Sequence, residues 1–571
     1  MSDISKKTYA IHPAIGVARL GNAPLDIGDP STYLIGAESP YQVPGAGETY
    51  KKNGKIKKVA QRFRIFEYED DMPVREITLE QRDIKSITWH VQVSNRKAAL
   101  LIDDKTPGSV SAPTYHPPDY HPSKSRNTHV VDRNDLVIDS GLNTITSDQP
   151  IKDLTGSFTL PYGNNEKATT QVKLGSIHSE AQTGRLLYFA SDGLSEGLDT
   201  KNGKFSQTAT IGVNGDFANN DNWYDQSCDG PIRAEIVFTD GTSIMLDRPE
   251  QSAWILCSLP KYTPAFNYFT NLQHVALSAS FPATQSVPRP SFANDIFPIL
   301  RSVSQLQWVS PSGALGHGTG RQGYYLSRLS NLSDNNSDPQ SGAYLSRDAI
   351  FKRLRNPHKL PARPFKGLTL ADVQPKQMPQ LPRDELRNQE GHDWALPSVT
   401  KLQYDMLEKW RDGDFDSDHN PDGIHAEGIY DFIALEELDI PNQPAALDWA
   451  ALEGTCGTPF YPGIESWNIM QLPELYAAPL RIQANVKPGD LTMGNALPWQ
   501  SDYLDCNHGW WPVQRPDNVT RNGQSQQPWV PDEWVEEEQY LKMVENWWRL
   551  GFIVSIDNNA SFEETERNLQ E

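Results

Sequence analysis

Cysteine is scarce in this chain: four residues in 571, at positions 228, 257, 456 and 506. They form no CxxC pair, so neither a disulfide scaffold nor a zinc ribbon is expected. Long apolar runs are also missing. None approaches the ~20 residues that cross a bilayer, and no membrane association is expected. Basic residues are outnumbered, 52 Lys and Arg against 73 Asp and Glu, for a formal charge of -21. Such a surface repels a phosphate backbone, which argues against nucleic-acid binding. No GxGxxG follows a strand-like run and no Walker-type glycine loop occurs, so dinucleotide and nucleotide triphosphate binding have no support. No apolar segment follows Met1-Ser-Asp-Ile-Ser-Lys-Lys7. A classical secretory signal is therefore not expected, and the chain either stays in the cytoplasm or leaves by a route that reads no such signal.

What is abundant is aromatic surface. There are 15 Trp, and aromatics make up 10% of the chain. That much surface demands burial and argues for a folded protein. The length suggests two to four folding units at roughly 150 residues each. Up to about residue 280 the pattern is β-rich. Short alternating runs at 62–66, 87–93 and 234–238 are separated by Gly, Asn, Asp and Pro, as in antiparallel strands with one wet face. A Pro/Ser-rich stretch at 280–290 reads as a boundary. Beyond it, helical spacing appears at 292–301, 400–410 and 536–550, the last with Tyr540, Met543, Val544 and Trp547 on one stripe and Gly551 as its expected C-cap. The expected fold is α+β: an antiparallel-β-rich N-terminal domain, 1–285, and a loop-rich, partly helical C-terminal domain, 286–571, carrying the catalytic site. The acidic, Asn-rich tail is expected to fray.

The densest chemistry lies at Pro498-Trp-Gln-Ser-Asp502-Tyr-Leu-Asp505-Cys506-Asn-His508-Gly-Trp510-Trp511-Pro512 and on to Asp517. Carboxylates, a thiol, an imidazole and three indoles fall within 20 residues. Read from residue types alone, this is either a reactive loop or an aromatic loop over the β part with Cys506 inert. A Cys–His protease needs thiolate and imidazole facing each other, and Cys506 and His508 are too close in sequence for that. A zinc hydrolase would draw on His116, Asp119, His121 and His129, but their loose spacing in a Pro/Ser/Thr-rich loop favours a solvated loop, and no metal is expected. His392-Asp393 and His419 show no partner in the sequence.

Several segments resemble the LodA-like family of quinoprotein amino-acid oxidases. They are Ile11-His-Pro-Ala-Ile-Gly-Val-Ala-Arg-Leu-Gly-Asn22, Asn222-Trp-Tyr-Asp-Gln-Ser-Cys-Asp-Gly-Pro231, Leu402-Gln-Tyr404 with Leu407 and Trp410, Thr455-Cys-Gly-Thr-Pro-Phe-Tyr-Pro-Gly-Ile-Glu465, Pro498 to Tyr503 running into Cys506 and Trp510 to Asp517, and Trp547-Trp-Arg-Leu-Gly-Phe552. The resemblance implies a cofactor made from the protein itself, cysteine tryptophylquinone, in which a Cys sulfur is joined to a Trp ring that gains two carbonyl oxygens. By motif position the cysteine is Cys506 and the tryptophan is Trp547, with Trp548 and Trp534 as alternatives. Asp502 matches the family aspartate, a general base whose basicity rises when buried indoles desolvate its charge. Cys456, Tyr224 and His508 are implied as pocket residues, and Arg515 either binds a substrate carboxylate or orders the loop. The implied activity is oxidation of a primary amine by O2 to an aldehyde or oxo acid, with ammonia and hydrogen peroxide released. Lysine, glycine, another amino acid and a simple amine are all open as substrates. The resemblance further implies a flavoprotein maturation partner and a homo-oligomer. A non-catalytic relative, keeping the fold as a binding module without quinone, is the alternative.

Overall fold

The computed structural model describes residues 7–101, 125–164, 166–211, 219–282, 285–359, 377–379, 398–419, 432–457, 466–505, 513–535, 540–557 and 561–568, the side chains of residues 467, 468, 502 and 505 excepted. Among them the β-rich half is organised around a fifteen-stranded sheet. The strands that position the site are, in chain order, β1 (Ile15–Arg19), β2 (Lys58–Glu69), β3 (Lys152–Tyr162), β4 (Glu166–Ser179), β5 (Leu186–Ala190), β6 (Ser195–Asp199), β7 (Trp223–Asp225), β8 (Cys228–Phe238) and β9 (Ala253–Ser258). The sheet path runs β8–β9–β1–β2–β5–β4–β3, while β6 and β7 pair in a separate three-stranded sheet. The runs expected at 62–66 and 234–238 lie inside β2 and β8. The run expected at 87–93 falls in a strand that ends at Val91.

Alternation holds where one face is wet. In β3, Leu154, Gly156, Phe158 and Leu160 point inward and their neighbours face outward. It fails in the centre. β1 and β9 are buried on both faces, and they pair in parallel, Ile15 opposite Trp254 through Arg19 opposite Ser258. A strand covered on both sides needs apolar residues throughout, so its pattern reads as a continuous run. One cover is α4 (Gln443–Glu453), reached after α1 (Leu272–Ser280), α2 (Phe297–Gln305) and α3 (Lys401–Asp412). Its Asp448 accepts the backbone N–H of Ala14 at 2.6 Å and pairs with His12 Nδ1 at 2.9 Å, tying helix to sheet. No helix among the described residues is long and apolar enough to cross a membrane.

Helices form where caps permit. In α3, Thr400 and Gln403 make a reciprocal capping box, and Gly413 ends the helix at φ +83°, a backbone conformation that costs glycine little. The helix expected at 292–301 is split. A π turn at Phe292–Ile296 precedes α2, because Pro298 has no N–H to continue a single ladder. Two further helices carry the site, α5 (Trp499–Asp505) and α6 (Tyr540–Asn546). One contiguous core takes in Ile11, Trp223, Trp499, Trp547 and Phe562, so sheet and helices share it. The described structure is α+β, with its sheets first and most of its helices after residue 270.

Two expectations are corrected here. Gly551 is not a helix cap. The turn after α6 ends at Leu550 with φ -64°, and Gly551 donates its N–H to Glu564 Oε1 at 3.0 Å. Glycine is required because a Cβ would stand 2.5 Å from the Thr565 carbonyl oxygen. The tail is also not frayed over its described part: β10 (Phe552–Ser555) pairs with β11 (Phe562–Thr565). Phe562 is fully buried against Phe266 and Trp308, and buried Glu564 takes Arg521 and Arg567. The acidic composition that suggested fraying is instead used in contacts: Glu564 on these arginines and Glu566 on the Tyr50 and Lys51 N–H groups. Phe562→Ala is therefore expected to lower stability by about 3–5 kcal/mol in chemical denaturation. A loss under about 0.5 kcal/mol, the scale of an exposed substitution, would return the tail to the frayed class.

Candidate active site

The 498–517 segment begins as α5, and its described side chains Trp499, Gln500, Ser501, Tyr503 and Leu504 are all buried. A seven-residue helix has too few internal hydrogen bonds to stand alone, and this one is held by neighbours along its length. At its start, the Trp499 N–H donates to Asp225 Oδ2 at 3.2 Å. Asp225 is the last residue of β7 and is fully buried. Its partner is Lys97, whose Nζ lies 2.8 Å from Oδ2 and donates also to the Ala496 carbonyl at 3.0 Å. Burial pushes the Lys97 pKa down, and the facing carboxylate opposes that shift. Along the helix, Gln500 Nε2 donates to the Gly193 carbonyl at 2.9 Å, and Ser195 Oγ donates to Gln500 Oε1 at 2.7 Å. Tyr503 donates its hydroxyl to the Pro260 carbonyl at 2.6 Å. At the far end the Arg515 guanidinium donates to the carbonyls of Tyr503 (2.5 Å) and Leu504 (3.5 Å). Between the two sequence readings of Arg515, its described bonds are those of a residue that orders this segment.

Asp502 lies on α5 and its side chain is outside the described residues. Cys506, His508, Trp510 and Trp511 lie outside them altogether, as do His116, Asp119, His121, His392 and Asp393. Trp547 is described in full. It opens a 3₁₀ turn directly after α6 and is 3% exposed. Its ring meets that of Trp499 edge to face, with centroids 5.1 Å apart at 69°. Its carbonyl accepts the hydroxyl of buried Tyr262 at 2.7 Å. Trp548 is half-buried, with Arg549 over its ring and its indole N–H on the Glu545 carbonyl. Trp534 is buried in the turn Asp532–Val535. Among the described ring contacts, Trp547 is the one of these three that touches a ring on α5.

A cradle fits the Trp547 ring. Gly193 sits in the strap between β5 and β6 at φ +78°, and a Cβ there would stand 2.7 Å from Trp547 Cζ2 and 3.0 Å from Cη2. The Gly193 carbonyl also accepts the Trp499 indole N–H at 3.3 Å. One glycine thus touches both α5 and Trp547, and any side chain at 193 would occupy the space beside the benzo edge of the indole. A tryptophan ring that must gain atoms on that edge needs such room, so the residues present fit a protein-derived quinone.

Of the other candidate pocket residues, Tyr224 and Cys456 have described side chains. Tyr224 is buried on β7, but successive side chains of a strand face opposite ways. Asp225 therefore turns to α5, while Tyr224 packs with Phe158 and Phe205 and donates its hydroxyl to Glu196. Cys456 is buried and bridged to Asn271, beside Thr455, whose Oγ1 accepts from Arg19 at 3.1 Å. His129 is exposed, His419 lies against Phe292, and no group of three or more His, Cys, Asp and Glu among the described residues could hold a metal ion.

Sequence reasoning missed Lys97, Asn95 and Gly193. Asp225 stood inside a quoted motif without a role, whereas Gly193 gave only the turn signal of Ser191-Asp-Gly. Gly193→Ala is expected to lose about 1–3 kcal/mol of stability, from the strained φ and the clash with the indole. Trp547→Phe in the same chain should recover part of that loss by shortening the ring. A Gly193→Ala protein as stable as the parent in denaturation would remove the close contact from the account.

The chain matches the sequence profile of the L-lysine ε-oxidase N-terminal domain over residues 12–257 and that of the L-lysine ε-oxidase C-terminal domain over residues 386–534. An L-lysine 6-oxidase of Marinomonas mediterranea is 22% identical over 568 residues, covering 87% of this chain and 71% of that protein. The crystal structure of the Schiff-base intermediate of the M. mediterranea L-Lys ε-oxidase with L-Lys superposes with a TM-score of 0.69 at 18% identity, over 98% of this chain and 95% of that one. A further crystal structure of that oxidase gives 0.67 at 19%, with the same coverage. At these identities the superpositions establish a shared fold. The two profiles, met in order over more than half of the residues, establish more: the chain belongs to the L-lysine ε-oxidase family.

Proposed function

We propose that this member of an amino-acid oxidase family oxidises the primary amine of an amino acid or simple amine through a cysteine tryptophylquinone formed from Cys506 and Trp547. The overall reaction consumes amine, O2 and water and yields aldehyde or oxo acid, ammonia and hydrogen peroxide. The observation that carries this reading is the placement of Trp547, buried against α5 with only a glycine, Gly193, beside its benzo edge. When formed, the quinone supplies the electron sink that ordinary side chains lack. The chain's own residues do the rest. The core around Trp499, Tyr262 and Trp547 excludes water from the ring. Asp502 takes the proton from the carbon bearing the amine. His508, Cys456 and Tyr224 complete the proposed pocket, Trp548 and Trp534 are the second choices for the modified ring, and the C-terminal part, 286–571, carries the quinone site. A flavoprotein partner performs the oxidation that builds the cofactor, and the enzyme is a homo-oligomer. L-lysine is the first substrate to assay, because it gives the relatives their name.

The reading is tested by spectrum and mass. Purified from its host, the protein should absorb in the visible. Peptide mass should place Cys506 and Trp547 in one linked fragment with two oxygens gained and four hydrogens lost. The chain produced alone in a foreign host should be folded and colourless. A native, active protein with Cys506 open to alkylation would end the proposal, and a folded native protein with neither colour nor oxidase activity would favour the non-catalytic binding module.

Asp502→Ala separates the carboxylate's two possible duties. Loss of a general base costs roughly 10²–10⁴-fold in rate. If turnover alone needs it, the variant carries quinone and is slow. The expected outcome is instead loss of the quinone as well, because Asp502 is held on the same helix that leads into Cys506. Normal quinone with normal turnover would move the base elsewhere, to Asp505 first.

A further inference from the structure

Lys97 and Asp225 form an ion pair sealed from water, with side chains 1% and 0% exposed. The described side-chain bonds of the pair lead to Asn95 and Ser227 on one side and to the entry of α5 on the other. Asp225 Oδ1 accepts from Asn95 Nδ2 (2.9 Å) and from the Ser227 N–H (3.1 Å) and Oγ (2.7 Å). Oδ2 accepts from Lys97 and from the Trp499 N–H, and Lys97 donates onward to Ala496. The pair thus grips the chain on both sides of the Leu497–Pro498 step, at the Ala496 carbonyl before it and the Trp499 amide after it. Two fixed points three residues apart set both where α5 starts and the direction in which it leaves. Asn220 adds a third hold, donating from its N–H and Nδ2 to the Leu497 carbonyl at 3.1 and 2.9 Å.

A buried ion pair is a poor stabiliser. Desolvation offsets most of its attraction, and a well-packed neutral pair commonly serves as well. Its advantage lies in direction: the charges accept only partners placed in line with their hydrogen bonds. We propose that Lys97 and Asp225 are positioning residues for the quinone, setting α5, and with it Asp502 and the approach to Cys506, against the ring of Trp547. The inference rests on the function proposed above. It assigns the pair a duty in building the cofactor that is separate from folding.

The test uses the full chain produced in its host, with three readouts: thermal midpoint, visible absorbance per folded chain with phenylhydrazine titration of the quinone, and mass of the fragment containing residues 506 and 547. Lys97→Met alone leaves the Asp225 charge buried without its cation and should unfold the protein or lower its midpoint sharply. Lys97→Met with Asp225→Asn removes both charges. It is expected to fold with a midpoint near the parent's while quinone per folded chain falls about tenfold or more, as for a misplaced reacting group. Parental quinone in that folded double variant overturns the proposal. If the double variant does not accumulate, Lys97→Arg keeps the charge but replaces a compact ammonium by a planar fork. It should fold with reduced quinone, and parental quinone there also overturns the proposal. Failure of Lys97→Arg to accumulate makes the pair a folding element only, with the same consequence. A parent protein without quinone would instead overturn the function itself.

Discussion

An ammonium and a carboxylate enclosed in protein hold the candidate site together. Lys97 and Asp225 sit where the sheet, the loop before α5 and the helix itself converge, and removing either would leave the other's charge buried and unpaired. Everything nearer the chemistry is arranged around the helix they hold: Gln500 on the Gly193 carbonyl, Tyr503 on Pro260, Trp499 edge-on to Trp547. Arg515 fixes the opposite end through its carbonyls. A carboxylate at the first free amide and a guanidinium at the last carbonyls complement the backbone dipoles of a helix too short to be stable alone.

Much of the fold was legible because its outer strands obey period two and its helices carry caps. β3 alternates, Thr400 and Gln403 announce α3, and both were readable from local chemistry. What local chemistry did not show lies in long-range contacts. β1 and β9 pair in parallel at the centre, which local alternation does not reveal. Gly551 looked like a helix terminus because glycine commonly is one, whereas its absent side chain serves the strand at Thr565. The tail looked frayed by composition, whereas its Glu564 meets Arg521 and Arg567, residues 43 and 3 positions away.

The site was legible in part and for a definite reason. Trp547 was singled out among 15 tryptophans by the family resemblance of its Trp-Trp-Arg-Leu-Gly-Phe setting, and its ring lies against that of Trp499 on α5. Residues that hold others in place carry no such mark. Lys97 lies in an ordinary Arg-Lys-Ala-Ala run, and its role exists only because Asp225, 128 residues later, is folded against it. Within β7, the strand's two-sidedness separates Tyr224, turned to Phe158 and Phe205, from Asp225, turned to α5. A motif cannot say which of two adjacent polar residues faces the site.

The cradle of Trp547 is assembled from segments far apart in the chain: Gly193 on a strap, Tyr262 after β9, Trp499 on α5. None of these contacts exists in an extended or partly made polypeptide, since closing loops of such length brings no reward until the core forms. Any chemistry that joins α5 to this ring therefore has a folded protein as its substrate. A catalyst for it must recognise a surface rather than a linear stretch of residues, and must pass its oxidising equivalents into an interior already closed to water. For the proposed cofactor, that geometry puts folding first and covalent completion afterwards.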